Sequence, residues 1–225
     1  MTIGSPPGFD ALTFDCYGTL IDWRLGIAQA TGRIPGLAGC DFERLVCDRE
    51  RVEREMEAGP YRPYGEILSE SLRRCALAQG REVSTEDAAG FARGMAEWPA
   101  FGDSAPALRR LGVRHRLAIL SNVETRILRE SVARIGVGFE LLITAQDLRS
   151  YKPARAHFDA AIHRLRLPKE RVLHVAASVF HDIRPASTLG WATAWVNREG
   201  DVRPSDVAPR WEIPDLESLA DRLEG

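Results

Sequence analysis

The sequence is poor in the features that would mark a metal-binding, disulfide-rich or secreted protein. Its four cysteines, Cys16, Cys40, Cys47 and Cys75, form neither a CxxC pair nor a Cys/His ligand pattern. This spacing argues against a zinc site and against a disulfide framework. No charged segment followed by an apolar one marks a secretion signal, and no apolar run is long enough to span a membrane. A cytoplasmic protein is therefore expected.

An excess of basic residues is also missing. The chain has 30 Lys and Arg residues against 32 Asp and Glu residues, and its formal net charge is -2. Binding to nucleic acid or to an acidic membrane surface would need a polybasic patch, which this balance does not indicate. We therefore expect neither a nucleic-acid partner nor a membrane partner.

The sequence does contain enough apolar residues for a large core. They make up 44% of its 225 residues, which suits one large domain or a domain with a substantial insertion. Short β-prone runs alternate with helical segments, which is typical of βαβ units and of a parallel sheet with right-handed crossovers. The predicted strands cover residues 12–14, 117–120, 141–144, 172–175 and 193–196.

Residues 23–96 have a different pattern. Amphipathic helical patterns cover residues 41–58 and 64–79, a third helix is predicted to follow, and almost no strand signal occurs in this block. We therefore predict an α/β fold in which an all-helical cap domain, residues 23–96, is inserted into a core formed by residues 1–22 and 97–225.

The most informative stretch is residues 11–22, which read A-L-T-F-D-C-Y-G-T-L-I-D. Its apolar run ends abruptly at Asp15, Gly18 then breaks the regular pattern, and Thr19 supplies a hydroxyl group. A carboxylate at the carboxyl end of a buried strand lies where open α/β sheets bind ligands. The same residues also fit a helix-capping aspartate in an ordinary turn.

Polar residues follow the other predicted strands as well. Ser121 and Asn122 follow the second strand, Lys152 follows the third, and Ser178 and Asp182 follow the fourth. Because the carboxyl ends of parallel strands meet at one edge of the sheet, we expect these side chains to converge on the aspartate of the first strand. Taken singly, each of them is typical of a cap or of a solvated surface residue.

With these motifs the chain resembles the haloacid dehalogenase superfamily of hydrolases. The segment D-C-Y-G-T at residues 15–19 is similar to the first motif, Ser121 to the second, Lys152-Pro153 to the third and Asp182 to the fourth. The segments D-x-Y-G-T-L, S-N, Y-K-P and W-V-N-R are nearest to the 2-haloacid dehalogenases. The resemblance, over residues 12–198, implies a Rossmann-like core with a helical cap inserted after the first strand.

At two positions this chain differs from the phosphatases of the superfamily, and these differences favour another reaction. Its phosphatases carry a second aspartate two residues after the nucleophile, which protonates a departing alkoxide and later activates water, and this chain has Tyr17 there. The phosphatases also carry an acid that helps to hold Mg²⁺, and this chain has Ala177 near that position. A halide leaves without a proton, so the resemblance implies a dehalogenase with no metal and no other cofactor.

Other functions stay open on the same motifs. A Mg²⁺-dependent phosphatase of small esters is the runner-up. A hydrolase that opens a strained heterocyclic carboxylate would use the same nucleophile. A non-catalytic binding protein on this core is the alternative from another class, although retention of Asp15, Ser121, Lys152 and Asp182 argues against it.

The resemblance implies a two-step hydrolysis of a small 2-haloacid. Asp15 attacks C2, expels halide and forms an ester, and water then attacks the ester carbonyl to release the 2-hydroxy acid. Lys152 is expected beside Asp15, where it keeps the carboxylate ionised and offsets the charge of the substrate carboxylate. Thr19 and Ser121 are expected to orient carboxylates by hydrogen bonds.

The remaining roles concern the water and the halide. Asp182, with Ser178, is expected to position the hydrolytic water or to hold Lys152, and His181 is an alternative base. Tyr17 and Asn122 are expected to line the halide pocket, together with a cap arginine. Among the cap arginines we favour Arg49. The preferred halogen, chain length and enantiomer are left open, as is a homodimer.

Overall fold

Six strands form one parallel sheet in the computed structural model, which describes residues 8–225; residues 1–7, the start of the predicted core segment, lie outside the described residues. The strands are β1 (Ala11–Phe14), β2 (Arg116–Ser121), β3 (Leu141–Thr144), β4 (Val172–Ala176), β5 (Ala192–Val196) and β6 (Trp211–Ile213). Their order in the sheet is β3-β2-β1-β4-β5-β6, and every neighbouring pair is parallel. The predicted α/β class with a Rossmann-like parallel sheet is confirmed.

The sequence pattern predicts five of these strands and misses β6. This strand has only three residues, W-E-I, and it lies at the edge of the sheet beside β5. Its middle residue is exposed, so the apolar pattern is too short to be recognised before the pairing is known.

β1 lies at the centre of the sheet and is paired with β2 on one side and β4 on the other. Leu12 and Phe14 belong to the core cluster on one face, and Ala11 belongs to the cluster on the opposite face, with Leu120 and Phe158. Burial of each large apolar side chain contributes roughly 1.5–3 kcal/mol. Apolar packing on both faces therefore holds β1 in the sheet, and the charged Asp15 follows its last residue directly.

Helices cover the sheet and form the insertion. The insertion contains α1 (Trp23–Thr31), α2 (Phe42–Glu57), α3 (Tyr64–Ala78) and α4 (Thr85–Gly94). The later helices are α5 (Ser104–Leu111), α6 (Thr125–Ile135), α7 (Ala145–Leu148), α8 (Ala156–Leu165), α9 (Arg184–Thr188) and α10 (Leu216–Glu224). A π-helical turn, Val179–Ile183, immediately precedes α9.

The chain leaves and re-enters the sheet region at adjacent points. The backbone N–H of Asp22 donates to the carbonyl of Pro99 at 2.8 Å, and that of Phe101 donates to the carbonyl of Leu20 at 3.0 Å. The four helices between these points contribute no strand to the sheet. On this basis we propose that residues 23–96 form a cap domain on the core.

Two further properties concern the described residues as a whole. Within residues 8–225, no helix combines the length and the apolarity needed to cross a membrane. The four cysteines are free thiols, and two of them, Cys16 and Cys75, are buried.

Candidate active site

Asp15 lies directly beyond β1, at the carboxyl edge of the sheet. Its backbone N–H donates to the carbonyl of Val175 at 3.0 Å, and the residue is only 7% exposed. Gly18 has a φ of +97°, a conformation that favours glycine, and this allows the chain to turn back sharply. The turn brings the Thr19 hydroxyl to Asp15 Oδ2, to which it donates at 3.0 Å.

Lys152 is bonded to three acceptors at once. Its Nζ donates to Asp15 Oδ1 at 2.9 Å, to Asp182 Oδ1 at 2.6 Å and to the carbonyl of Leu120 at 2.8 Å. An ammonium group has three N–H donors, so all of them are used. The side chain is 1% exposed, which removes competing water and strengthens each contact. The structure thus brings Asp15, Lys152 and Asp182 together.

The two carboxylates share one ammonium group, and their pKa values move in opposite directions. Burial raises the pKa of Asp15, and the charge of Asp182 adds to this effect while Lys152 opposes it. Burial would also raise the pKa of Asp182. The attraction of Lys152 and a hydrogen bond from His174 outweigh burial, so the pKa of Asp182 is lowered. The pKa of Lys152 is raised because its two carboxylate partners outweigh the effect of burial. Asp15 is therefore the member of the trio whose charge is most easily lost in acid.

His174, on β4, holds Asp182 from the other side. Its Nε2 lies 3.0 Å from Asp182 Oδ1, and its Nδ1 lies 2.9 Å from the hydroxyl oxygen of Thr13 on β1. An ionised carboxylate only accepts, so Nε2 carries the proton and Nδ1 accepts from Thr13. Asp182 Oδ2 is buried and has no hydrogen-bond partner among the described residues.

Ser121 and Asn122 lie beside this trio without bonding its carboxylates. Asn122 holds the backbone of Lys152 with both ends of its amide: Nδ2 donates to the carbonyl at 3.0 Å, and Oδ1 accepts from the N–H at 2.7 Å. Ser121 is 1% exposed, and its carbonyl lies 3.3 Å from His157 Nε2. Burial and the charge of Lys152 lower the pKa of His157 to about 3, so this imidazole is neutral. Asn122 thus holds the backbone of Lys152, and its expected contact with a halide stays a prediction.

Tyr17 makes its side-chain hydrogen bond with α6 and none with Asp15 or Asp182. Its hydroxyl lies 2.8 Å from Ser131 Oγ on α6, and its ring packs edge-on against Trp98 with centroids 6.0 Å apart. Burial raises the pKa of this phenol well above its ordinary value. Tyr17 is therefore a neutral phenol in T-shaped contact with Trp98.

Arg49 is connected to that aromatic pair through Phe91. Its guanidinium carbon lies 4.9 Å from the ring centroid of Phe91, which in turn packs against Trp98 at 5.9 Å. Arg49 is 2% exposed and pairs with Glu53, four residues further along α2. Its Nε and the Nε1 of Trp98 are buried N–H donors with no hydrogen-bond partner in the described part of the chain. Both side chains pack against the Phe91 ring, and unpartnered buried donors of this kind call for an acceptor such as a small anion.

Ser178 lies next to Ala177, and its hydroxyl bonds with His181 and not with Asp15 or Asp182. Its hydroxyl accepts from the backbone N–H of His181 at 3.1 Å and lies 3.1 Å from Nδ1 of the same residue. The other ring nitrogen of His181, Nε2, lies 3.2 Å from Oε2 of Glu57, the last residue of α2. Ser178 therefore orients His181, and the contact with Glu57 joins the sheet region to the inserted helices.

Thr13, His174 and Glu57 are not singled out by the sequence pattern. Thr13 and His174 lie within buried strands and are direct register partners, so the signal that pairs them exists only once β1 and β4 are aligned. Glu57 does carry a local signal, because a carboxylate in the last turn of a helix opposes the helix dipole. Such a position suggests a second interaction, which here is the one with His181.

Comparison with known proteins agrees with this architecture. The model of the haloacid dehalogenase-like hydrolase family matches residues 9–190. A (S)-2-haloacid dehalogenase of Pseudomonas sp. (strain YL) is 24% identical over 219 residues, covering 95% of this chain and 94% of that protein. Haloacetate dehalogenase H-2 of Moraxella sp. (strain B) is 27% identical over 196 residues, covering 85% and 87% respectively. A crystal structure of an L-2-haloacid dehalogenase, 26% identical, superposes with a TM-score of 0.86 over 97% of this chain and 100% of that one.

Proposed function

The chain belongs to the haloacid dehalogenase-like hydrolase family, and from this membership we propose that it hydrolyses the carbon–halide bond of a small 2-haloacid through an ester on Asp15. The observation that carries the proposal is the buried Lys152 ammonium, which is bonded to Asp15 and Asp182 together. The similarity to a (S)-2-haloacid dehalogenase over nearly the whole chain supports this substrate class.

In the first step Asp15 attacks C2 of the substrate, and the halide departs with the electrons of the carbon–halide bond. The hydrogen bonds from Thr19 and Lys152 fix one oxygen each of the attacking carboxylate. The positive charge of Lys152 offsets the repulsion between Asp15 and the carboxylate of the substrate. We assign the Ser121 hydroxyl, at the end of the neighbouring strand, to that substrate carboxylate.

The departing halide needs a positive and weakly hydrated neighbour, but no proton. We assign this role to Arg49, because its Nε is a buried donor without a partner among the described residues. Trp98 offers a second such donor, and the Tyr17 ring, in T-shaped contact with Trp98, completes the pocket. The exit of the halide would then lie on the side of the inserted helices.

In the second step water attacks the carbonyl carbon of the Asp15 ester and not C2. The 2-hydroxy acid is released with C2 inverted once, and the Asp15 carboxylate is regenerated. Asp182 and Asn122 hold the side chain and the backbone of Lys152, so the ammonium stays near the negative charge that develops in this step.

The experiment that tests this function measures halide release from chloro-, bromo- and fluoroacetate and from both 2-chloropropionates, with and without a chelator. One turnover in heavy-oxygen water, followed by mass spectrometry of peptides, should then place the label in the peptide that contains Asp15. Phosphate release from a generic phosphate ester that requires magnesium, without halide release, would favour a phosphatase. Full turnover by Asp15→Asn would rule out a nucleophilic role for this residue.

The cysteines bear on the cellular location. The free thiols Cys16, Cys40, Cys47 and Cys75 favour a reducing compartment. We propose that the enzyme works in the cytoplasm, which fractionation of the source cells would test.

A further inference from the structure

The two oxygens of the Asp182 carboxylate have different surroundings. Oδ1 accepts from Lys152 Nζ at 2.6 Å and lies 3.0 Å from His174 Nε2. Oδ2 is buried and meets no hydrogen-bond donor within residues 8–225. Because a buried carboxylate oxygen normally has a donor, Oδ2 is the atom of this side chain that can accept from a water or a substrate. The division between the two oxygens depends on what holds Oδ1.

His174 holds this oxygen from within the sheet. The residue is fully buried on β4, and its ring makes T-shaped contacts with two aromatic side chains of the core. The ring centroids are 5.3 Å from that of Phe158 and 6.4 Å from that of Trp191. Close packing of this kind restrains the imidazole ring, so Nε2 is kept beside Asp182.

Thr13 determines which nitrogen of His174 carries the proton. The two residues are register partners on β1 and β4, and the Thr13 hydroxyl oxygen lies 2.9 Å from Nδ1. The same oxygen lies 3.5 Å from the carbonyl of Leu173, a much weaker contact. The hydroxyl therefore donates to Nδ1, and Nε2 keeps its proton for Asp182. Hydrogen bonds in such a chain polarise one another, so the Thr13 hydroxyl strengthens the bond from His174 to Asp182.

We propose that His174 and Thr13 are positioning residues of the second step, and that they give the two oxygens of Asp182 different tasks. The inference rests on the proposed function and adds to it two residues from the interior of the sheet. Oδ1 is tied to His174 and keeps Lys152 in place. Oδ2 is then left to accept a hydrogen bond from the water that attacks the Asp15 ester. Without His174 the carboxylate can turn about its Cβ–Cγ bond, and both oxygens compete for Lys152.

The groups around Asp182 keep it in the ionised form that this role requires. Burial acts to raise its pKa, but the attraction of Lys152 and the hydrogen bond from His174 outweigh burial and lower it. Asp15 is the other carboxylate of the cluster and shares the same ammonium group. His157, on α8, is neutral because burial and the charge of Lys152 lower its pKa to about 3. His174 thus adds to Lys152 in keeping Asp182 charged.

The test follows decay of the ester separately from release of halide. In His174→Phe the new ring can still pack against Phe158 and Trp191, but the donor to Asp182 is lost. A burst of one equivalent of halide per active site should persist, whereas the ester, seen in the intact mass of the protein, should decay about tenfold more slowly or more. Because the hydrogen bond that lowers the pKa of Asp182 is gone, the decay should also fail in acid at a higher pH than in the wild type.

Thr13→Val tests the same chain of hydrogen bonds with the imidazole left in place. Valine has a similar shape but no hydroxyl, so ester decay should slow and its acid limb should move as in His174→Phe, by a smaller amount. Thr13→Ser keeps the hydroxyl and should recover most of what Thr13→Val loses. The matched control is Thr193→Val, at the buried register partner of His174 on β5, because both ring nitrogens are already used by Thr13 and Asp182. In this control the ester should decay at the wild-type rate.

The outcomes distinguish this inference from the proposed function. A wild-type protein that releases no halide overturns the proposed function and this inference with it. Normal halide release with unchanged ester decay in His174→Phe overturns the role of His174 alone. Equal losses of burst and decay, with an unshifted acid limb, show that the ring serves only packing and overturn the role as well. A loss in Thr193→Val as large as that in Thr13→Val, or a shift of the Thr13→Val limb to lower pH, overturns the role of Thr13.

Discussion

Lys152 and Asp15 are 137 positions apart in the sequence and are joined by a hydrogen bond of 2.9 Å. The lysine side chain is 1% exposed and the aspartate side chain is 10% exposed, so the pair is shielded from water but Asp15 can still be approached. Because Asp182 holds the same Nζ at 2.6 Å, the buried trio contains two carboxylates and one ammonium group. This excess of negative charge has consequences that can be measured.

Replacement of Lys152 by methionine should abolish turnover and weaken the fold. It leaves Asp15 and Asp182 buried without their shared partner, and removal of one member of a buried ion pair costs about 3–5 kcal/mol. Denaturant unfolding measures the loss, and halide release measures turnover. Lys169→Met, which removes an ammonium that donates to the Leu189 carbonyl far from the trio, is the control and should keep full activity. A stable and active Lys152→Met protein would contradict the shared role of this ammonium.

Asp15→Asn should stabilise the protein while it abolishes turnover. The folded-state pKa of Asp15 is raised above its ordinary value of 3.8, so the ionised carboxylate destabilises the fold at neutral pH. Asparagine removes that charge and should gain on the order of 1 kcal/mol. The gain should be largest at neutral pH and should vanish as the pH falls through the raised pKa towards 3.8, because the wild-type side chain is then protonated as well. A gain that does not depend on pH would show that another effect causes it.

Halide release should lose activity in acid at a pH above the ordinary carboxyl value. Only the ionised form of Asp15 attacks carbon, and burial together with the charge of Asp182 raises its pKa. The single-turnover burst reports this step without the second one. Asp182→Asn removes the nearby negative charge, so its acid limb should lie at lower pH than that of the wild type. A shift in the opposite direction would mean that Asp182 acts mainly by holding Lys152.

The sequence predicts those parts of the fold in which a short run of residues is enough to identify a strand and its end. The run Leu12–Phe14 and the polar residue after it indicate a buried strand and its end, and the same reasoning finds the segments that carry Lys152 and Asp182. Since parallel strands end at one edge, convergence of these residues follows from topology alone. The sheet therefore brings Asp15, Thr19, Lys152 and Asp182 together as expected.

The rest of the site depends on contacts that no local pattern contains. His181 and Glu57 are 124 positions apart, and their contact exists only because α2 ends above the π-helical turn. Asn122 has the residue type of a substrate contact, but its amide is used by the Lys152 backbone. Arg49 was one of several arginines with the same helical surroundings, and only packing distinguishes the buried one.

The last prediction concerns the halide. Arg49→Lys keeps a positive charge for Glu53 but removes the Nε donor and the planar group over Phe91. A hydrogen bond to a charged group contributes about 1.5–3 kcal/mol, so inhibition by added chloride should weaken about tenfold or more. Trp98→Phe removes the other buried donor and should weaken inhibition in the same direction. Arg51→Lys, on the exposed side of α2, should leave it unchanged. Equal chloride inhibition in the wild type and the three variants would mean that the halide leaves by another route. The two buried donors would then serve only the packing of the inserted helices.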